Sequence, residues 1–188
     1  MRIIAGKLKG KKILLPKDKL TRPLRDLVKE SIFNLLEHSN KIKITLNNSN
    51  ILDLFSGSGS FGLEAYSRGA RQITFIENYK IAYEILIQNV KNLNCEKFCR
   101  ILNHNCFDYL ENIDNENYKF DLIFLDPPYK EKNLEILISS IITNKILKKN
   151  GIIIIHRHKK ENDNLTNKLK IIEEKKYGIS KIIFGSYF

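Results

Sequence analysis

Apolar and polar positions change rhythm twice along this chain. Residues 1–20 carry two short apolar runs, Ile3-Ile4 and Ile13-Leu14-Leu15, set among basic residues with Gly6 and Gly10 as turn candidates. This predicts a basic hairpin or extended arm, with Pro16 ending its second run. Thr21-Arg22-Pro23 then opens a helix. Leu24, Leu27, Val28, Ile32, Leu35 and Leu36 recur there at three- and four-residue steps and form one apolar stripe. Arg22, Arg25 and Lys29 lie mostly off it. Residues 38–50 are polar and Asn-rich and read as a loop.

From residue 51 strands and helices alternate. A short apolar strand over 51–55 meets a Gly-rich turn over 56–60, then a helix that runs to about Arg68 with Gly69 as its C-terminal cap. A second strand covers 73–76. Ala82, Ile85, Leu86, Val90 and Leu93 mark the next helix. A weaker third strand covers 99–102 and a strong fourth one 120–125. Leu134, Leu137, Ile138, Ile141 and Ile142 mark another helix. The continuous apolar run 152–155 has the pattern of a strand buried on both faces. Two further strand-like runs, 169–172 and 179–184, suit an antiparallel edge pair. Such alternation predicts an α/β fold with a mostly parallel sheet and helices on both faces. There is no internal repeat. Residues 1–40 form an extension on the 50–188 core, giving one domain over 1–188.

Composition sharpens this picture. A chain of 188 residues with 43% apolar content can bury one sizeable core. Heavy use of Ile, Lys and Asn reads as a bias towards AT-rich codons, so scattered Lys and Asn carry little functional signal. Charge placement carries more. Residues 1–30 hold ten Lys/Arg against three Asp/Glu, and residues 145–188 hold eleven against four. Residues 31–144 hold eleven against fourteen, so the net +11 is concentrated at the two ends. A polyanion such as RNA or DNA suits that surface. Cys95, Cys99 and Cys106 include no CxxC pair, and the N-terminus MRIIAGKLKGKKI has no long apolar run. Free, reduced thiols in a cytoplasmic protein are expected, with no metal. No apolar stretch approaches the roughly 20 residues needed to span a bilayer.

Two segments carry chemistry. Asp53-Leu54-Phe55-Ser56-Gly57-Ser58-Gly59-Ser60-Phe61-Gly62 links a predicted strand to a predicted helix, and Gly57, Gly59 and Gly62 satisfy G-x-G-x-x-G. Glycines there allow a tight turn and close approach of a ligand. Glu77, at the end of the second strand, can accept hydrogen bonds from ribose hydroxyls. A dinucleotide and S-adenosyl-L-methionine both satisfy that much. Asp53 separates them: a carboxylate beside the turn repels a pyrophosphate and attracts a cationic methionine moiety. A further contact is expected from Asn105 in the loop after the third strand, whose side-chain oxygen can act as an acceptor. The cofactor-binding set is therefore Asp53, Phe55, Ser56, Gly57, Gly59, Glu77, Asn105 and Asp126.

Asp126-Pro127-Pro128-Tyr129 follows the fourth strand, and ligands of open α/β sheets bind at the carboxyl ends of strands. An exocyclic amine on a base is conjugated with its ring, so its lone pair is a poor nucleophile. Two acceptors, one per N–H, can hold the nitrogen in a more tetrahedral shape. The Asp126 side chain supplies one and the Pro127 carbonyl, pre-set by the prolines, the other. Tyr129 offers a face for stacking a flipped-out base. This is catalysis by positioning and electrostatics, with no metal.

The order of DLFSGSG, an acid after strand two, and DPPY resembles the amino-methyltransferases that act on nucleic acids. The blocks Met1-Arg2-Ile3-Ile4-Ala5-Gly6, Thr21-Arg22-Pro23, the run from Arg25 to Asn34, and Lys176-Tyr177-Gly178 are similar to the RsmD family. The resemblance covers nearly the whole chain. It implies a Rossmann-like class I methyltransferase fold with seven strands, and S-adenosyl-L-homocysteine as the co-product. It also implies methylation of N2 of one guanine in bacterial small-subunit (16S) ribosomal RNA, naked or in the 30S particle. No obvious dimer face appears along the chain, so a monomer away from membranes is expected. The basic arm and helix then grip RNA through Arg2, Lys7, Lys9, Lys11, Lys12, Arg22, Arg25 and Lys29. Two departures stand out. Strand five ends in Ile155-His156-Arg157-His158 where the family usually has a Glu, which reads as a solvated strand end whose cations touch RNA. Leu24 replaces a frequent Thr. The alternatives are an N6-adenine or N4-cytosine DNA methyltransferase, which usually needs a longer target-recognition region, and a non-catalytic RNA-binding protein on a vestigial fold.

Overall fold

The computed structural model describes residues 1–18, 24–114, 119–163, 165 and 167–187. Thr21, Arg22 and Pro23, read as the opening of the first helix, lie outside the described residues. Among the described residues, five α-helices and seven strands, with one short 3-10 turn at Glu96–Phe98, follow in the order α1 (Asp26–His38), β1 (Asn50–Leu54), α2 (Ser60–Ser67), β2 (Gln72–Ile76), α3 (Lys80–Asn92), β3 (Cys99–Leu102), α4 (Cys106–Glu111), β4 (Phe120–Leu125), α5 (Leu134–Thr143), β5 (Leu147–His158), β6 (Lys170–Tyr177) and β7 (Ser180–Ser186).

The strands form one sheet in the order β3-β2-β1-β4-β5-β7-β6. Pairing is parallel from β3 to β5 and antiparallel at β7 and β6. The alternating pattern thus describes a Rossmann-like α/β sheet with its predicted antiparallel end. Period-2 alternation splits the strand side chains between two cores. Ile51, Phe75, Phe124 and Ile154 pack with α1, α2 and α3 on one face. Leu52, Ile123, Leu125 and Ile155 pack with α4 and α5 on the other. β6, at the sheet edge, keeps Glu173–Lys176 charged, and such charges discourage edge-to-edge pairing with another chain.

Residues 1–13 form the expected hairpin, with an Arg2–Lys12 antiparallel bridge and positive φ at Gly6 and Gly10. It docks on α2. Glu64 accepts the Ile4 N–H at 2.7 Å and the Ala5 N–H at 3.0 Å, while the Lys7 N–H reaches the Ser67 carbonyl at 2.8 Å. Ile3 and Ile13 join the same buried cluster as Val28, Ile32 and Phe33, so the arm shares the core.

Three expectations need correction. Leu27 is 67% exposed and leaves the predicted stripe, while Phe33 is fully buried in it. The loop after β3 contains α4, too short to show a periodicity. β1 stops at Leu54, because Phe55 turns into the left-handed region at φ 59°.

Candidate active site

β1, β2 and β4 lie side by side, and their carboxyl ends open on one cavity of about 320 Å³. This is within the roughly 300–1,000 Å³ of small-molecule sites. Asp53, Phe55, Ser56, Gly57, Glu77, Asp126, Pro127, Pro128 and Tyr129, predicted from separate segments, all line it.

The glycine turn owes its shape to local hydrogen bonds. Asp53, buried in β1, accepts the Gly62 N–H at 3.0 Å, so its carboxylate anchors the first turn of α2. Glu77 accepts the Gly57 N–H at 2.7 Å and the Tyr79 N–H at 2.7 Å, which ties the turn to the end of β2. Ser56 accepts the Ile76 N–H at 3.0 Å and so fastens the same two strands. Gly57 has φ 55°, and a Cβ there would meet no atom within 4 Å, so the turn presents bare backbone to open space. Gly59 caps α2 with φ 80° but does not line the cavity; a Cβ on it would meet Leu86 at 2.4 Å. Phe55, a bulky residue in the left-handed region, lines the cavity. Such strain, of order 1–3 kcal/mol, persists where the surroundings fix it and clusters at ligand sites.

The electrostatics are one-sided. Asp53, Glu77 and Asp126 all line the cavity, and no Lys or Arg does among the described residues. Burial drives the Asp53 carboxyl well above its ordinary range; the Gly62 N–H opposes this, and the neighbouring Asp126 and Glu77 charges add to it. Burial also raises Glu77, against the N–H groups of Tyr79, Gly57 and Asn78. A cavity of this kind favours a ligand carrying positive charge.

Asp126-Pro127-Pro128-Tyr129 leaves β4 at the cavity mouth and is braced from β5. His156 is buried, with Nδ1 2.8 Å from Asp126 Oδ1 and Nε2 2.9 Å from Ser180 Oγ. Arg157, 1% exposed, forms a bidentate pair with Asp163 at 3.0 Å and donates to the carbonyls of Pro128 at 3.3 Å and Glu131 at 2.9 Å. The His158 ring meets the Tyr129 ring edge-on at 4.9 Å. The reading of this run as a solvated strand end with RNA-facing cations is therefore overturned: β5 extends to His158 and pairs with β7, enclosing His156 and Arg157. No sequence period marks these contacts: Asp163 is six residues from Arg157, but Asp126, Pro128, Glu131 and Ser180 are all more than twenty residues away in the chain.

Two other predicted site residues fall elsewhere. Asn105 is exposed, outside the cavity lining, and its Oδ1 accepts the Phe107 N–H at 2.8 Å as the N-cap of α4. Lys29 is fully buried; its ammonium donates to the Arg2 carbonyl at 2.9 Å and to Ser60 Oγ at 3.1 Å, and lies 3.7 Å from Glu64. It holds the hairpin to α2 and, contrary to the expectation of a surface cation, is closed off from solvent. Burial lowers its pKa, and the Glu64 and Asp26 charges oppose that shift. Arg2, Lys7, Lys9, Lys11, Lys12 and Arg25 are exposed as expected, with Lys7 Nζ 3.6 Å from the centre of the Tyr66 ring. Arg22 lies outside the described residues.

Residues missed from the sequence include Leu15, Pro16 and Leu24, which put the arm against the cavity. Asn89 fixes that course. Its side chain accepts the Leu14 N–H at 2.7 Å and donates to the carbonyls of Leu14 at 3.0 Å and Ser58 at 2.9 Å. A polar residue at an otherwise buried position of a helix is the signal that could have found it.

A family model described as Conserved hypothetical protein 95 matches residues 1–186. The chain is 34% identical over 180 residues to the ribosomal RNA small subunit methyltransferase D of Haemophilus influenzae, covering 95% of this chain and 90% of that one. It is also 34% identical over 187 residues to the protein of the same name from Buchnera aphidicola subsp. Baizongia pistaciae, covering 100% of this chain and 91% of that one. Among solved structures, yhhF of Escherichia coli, provisionally assigned as a methyltransferase, is similar with a TM-score of 0.83 at 28% identity. That match covers 100% of this chain and 97% of the other.

Proposed function

The chain belongs to the Conserved hypothetical protein 95 family, the RsmD family, and from that premise we propose that it methylates the exocyclic N2 amine of a guanine in small-subunit (16S) ribosomal RNA, using S-adenosyl-L-methionine. The observation that carries this reading is the meeting of Asp126–Tyr129 with Asp53, the glycine turn and Glu77 in one acidic cavity.

The residues fit the cofactor. Asp53 and Asp126 offer negative charge to a sulfonium and an ammonium group. Glu77 uses two hydrogen bonds to backbone N–H groups, and a carboxylate has about four acceptor sites, so ribose hydroxyls can share it. The open space over Gly57 leaves room for a ligand to approach the backbone. When bound, S-adenosyl-L-methionine supplies an electrophilic methyl group.

Binding energy at this site goes into orientation. Asp126 and the Pro127 carbonyl accept from the two N–H groups of the amine and turn its lone pair towards the methyl group. Arg157 holds the neighbouring Pro128 and Glu131 carbonyls, which keeps the loop in place while the base enters. Tyr129 stacks on the base, and His158 braces the ring from its edge. Alignment of this kind can supply a large share of a rate enhancement without covalent chemistry. RNA is gripped by Arg2, Lys7, Lys9, Lys11, Lys12 and Arg25, and the protein acts as one domain over 1–188, as a monomer, in the cytoplasm.

The deciding experiment is a nucleoside map of ribosomal RNA from cells with and without this protein, together with methyl transfer to 30S particles and naked 16S RNA by the purified protein. One N2-methylguanine should disappear from the deletion strain and return in vitro. Methylated adenine or cytosine in DNA with unchanged ribosomal RNA would sink the proposal.

A further inference from the structure

Asp126 carries the chemistry in the reading above, yet a carboxylate on one methylene rotates easily. The structure couples it to an imidazole. His156 comes from β5, thirty residues along the chain, and its side chain is 3% exposed against 13% for Asp126. Its two ring nitrogens are both engaged: Nδ1 with Asp126 Oδ1 at 2.8 Å, and Nε2 with Ser180 Oγ at 2.9 Å. Ser180, the first residue of β7, is itself buried. Two bonds, one to the residue just past β4 and one to the first residue of β7, fix both the plane and the tilt of the ring.

We propose that His156 is a positioning residue that sets the orientation of the Asp126 carboxylate in the cavity, with Ser180 holding the imidazole in the plane this requires. The chemistry of the partners assigns the protons. An ionised carboxylate only accepts, so Nδ1 carries the hydrogen and donates to Oδ1. Nε2 is left to pair with the Ser180 hydroxyl. Ser180 is a hydroxyl and can both donate and accept, so it supports this tautomer without competing for the Nδ1 hydrogen. The consequence is directional. With Oδ1 tied to the protein interior, the plane of the carboxylate, and with it the line along which it accepts from a substrate N–H, is set before the base arrives. Edge contacts of Tyr129 with His156 at 6.4 Å and with His158 at 4.9 Å place the stacking face against the same strand. β5 therefore braces both the acceptor and the stacking platform of the motif.

This inference rests on the methyltransferase reading, and the experiment separates the two. Steady-state constants on 30S particles are measured for the wild type, His156→Ala, His156→Asn, His156→Gln and Ser180→Ala, with S-adenosyl-L-methionine affinity from calorimetry. An Asn side chain can place its amide nitrogen near the Nδ1 position and keep the donor to Asp126. A Gln places its amide near Nε2 and loses that donor. His156→Ala should lower kcat by about 100-fold, the scale of a misplaced reacting group, with cofactor affinity within about twofold. His156→Asn should recover most of that loss and His156→Gln little of it. Ser180→Ala should show a smaller loss in kcat alone. Unchanged kcat in His156→Ala, or equal loss in the Asn and Gln variants, would overturn the proposal. If His156→Ala does not fold, the Asn and Gln pair decides. A readout independent of turnover is the ring nitrogen spectrum of the wild type. It should show His156 protonated on Nδ1, and protonation on Nε2 alone overturns the inference even if the wild type is active. A wild type that methylates no RNA defeats the functional reading, and the spectrum then still tests the pairing.

Discussion

Asp53 shows how one residue can make ligand binding depend on pH. Its carboxyl is raised by burial first and then by the Asp126 and Glu77 charges, with the Gly62 N–H pulling the other way. A raised carboxyl holds its proton in the folded protein at a pH where the unfolded chain has released it. Stability of the ligand-free protein is therefore fullest below the ordinary carboxylate range and falls as pH rises from there towards the raised value. A cationic ligand favours the ionised form, so affinity for S-adenosyl-L-methionine should climb over the same window, by at most about tenfold per pH unit for each coupled proton. Calorimetric titrations across pH should show this climb in the wild type and a flatter profile in Asp53→Asn. Asp126→Ala is expected to behave differently, lowering kcat by roughly 100- to 1,000-fold while leaving cofactor affinity within a few fold. Stopped turnover with equal loss of affinity would contradict its role. These two acids were legible in the sequence because each sits next to a local signal, the glycine turn or the double proline. His156 and Arg157 were not, because Asp126, Ser180, Pro128 and Glu131 approach them only through strand pairing and loop return. Residue types at a strand end do not disclose their partners.

The same division holds for elements. β2, β3 and β4 stand within a residue of where apolar runs place them; β2 and β4 are largely buried and read directly from composition, while β3, a half-exposed edge strand, gives the weaker signal. β5 is longer than its apolar run, because Leu147 pairs with Phe120 ahead of a break in register and His156–His158 pair with β7, contacts that hydropathy does not mark. α4 escaped notice, since six residues give less than two turns of pattern. The turn from β1 to α2 is the element on which the site depends most, and Gly62 carries its packing. A Cβ at Gly62 would stand 2.4 Å from Phe75 Cε1 and 2.7 Å from Ile73 Cγ2, both on β2. The third glycine of this motif thus sets the distance between α2 and the sheet. Gly62→Ala should push the two apart at a cost of about 1–3 kcal/mol, the usual scale for overpacking. Denaturant melts should report that loss, and weaker cofactor binding should accompany it, because the Asp53 carboxylate accepts the Gly62 N–H. A variant as stable as the wild type would show that the helix and strand relax without strain.

Net charge is a property of the whole molecule, but the fold decides how much of it faces a polyanion. In the C-terminal part, Arg157 and Lys181 are buried, Lys148 pairs with Asp121 at 2.8 Å, and Lys175 and Lys176 lie 3.3 Å and 3.6 Å from Glu173 and Glu174. At the N-terminus Lys29 is internal, yet Arg2, Lys9, Lys11 and Lys12 stand exposed on one small hairpin. That hairpin is docked to α2 through Glu64 and Ser67, and the chain beyond it brings Leu15 and Pro16 to the cavity. A phosphate backbone held on the hairpin is thus tethered to the protein that presents Asp126 and Tyr129. Removing one cation that neutralises a phosphate should reduce the slope of log affinity against log salt by about 0.7–0.9. Replacing Lys9, Lys11 and Lys12 together with Gln should therefore flatten the slope for ribosomal RNA by up to roughly 2–3, while kcat at saturating RNA changes little. Lys175→Gln with Lys176→Gln should flatten it less, because those charges already have carboxylate partners. Lys29→Met is the informative contrast. It removes a positive charge from the same N-terminal block, but one buried against Glu64, so it should destabilise the fold by about 3 kcal/mol, the scale for breaking a buried pair, and leave the salt slope as it was. Equal flattening by the hairpin and β6 substitutions would mean that RNA reads net charge and not the hairpin.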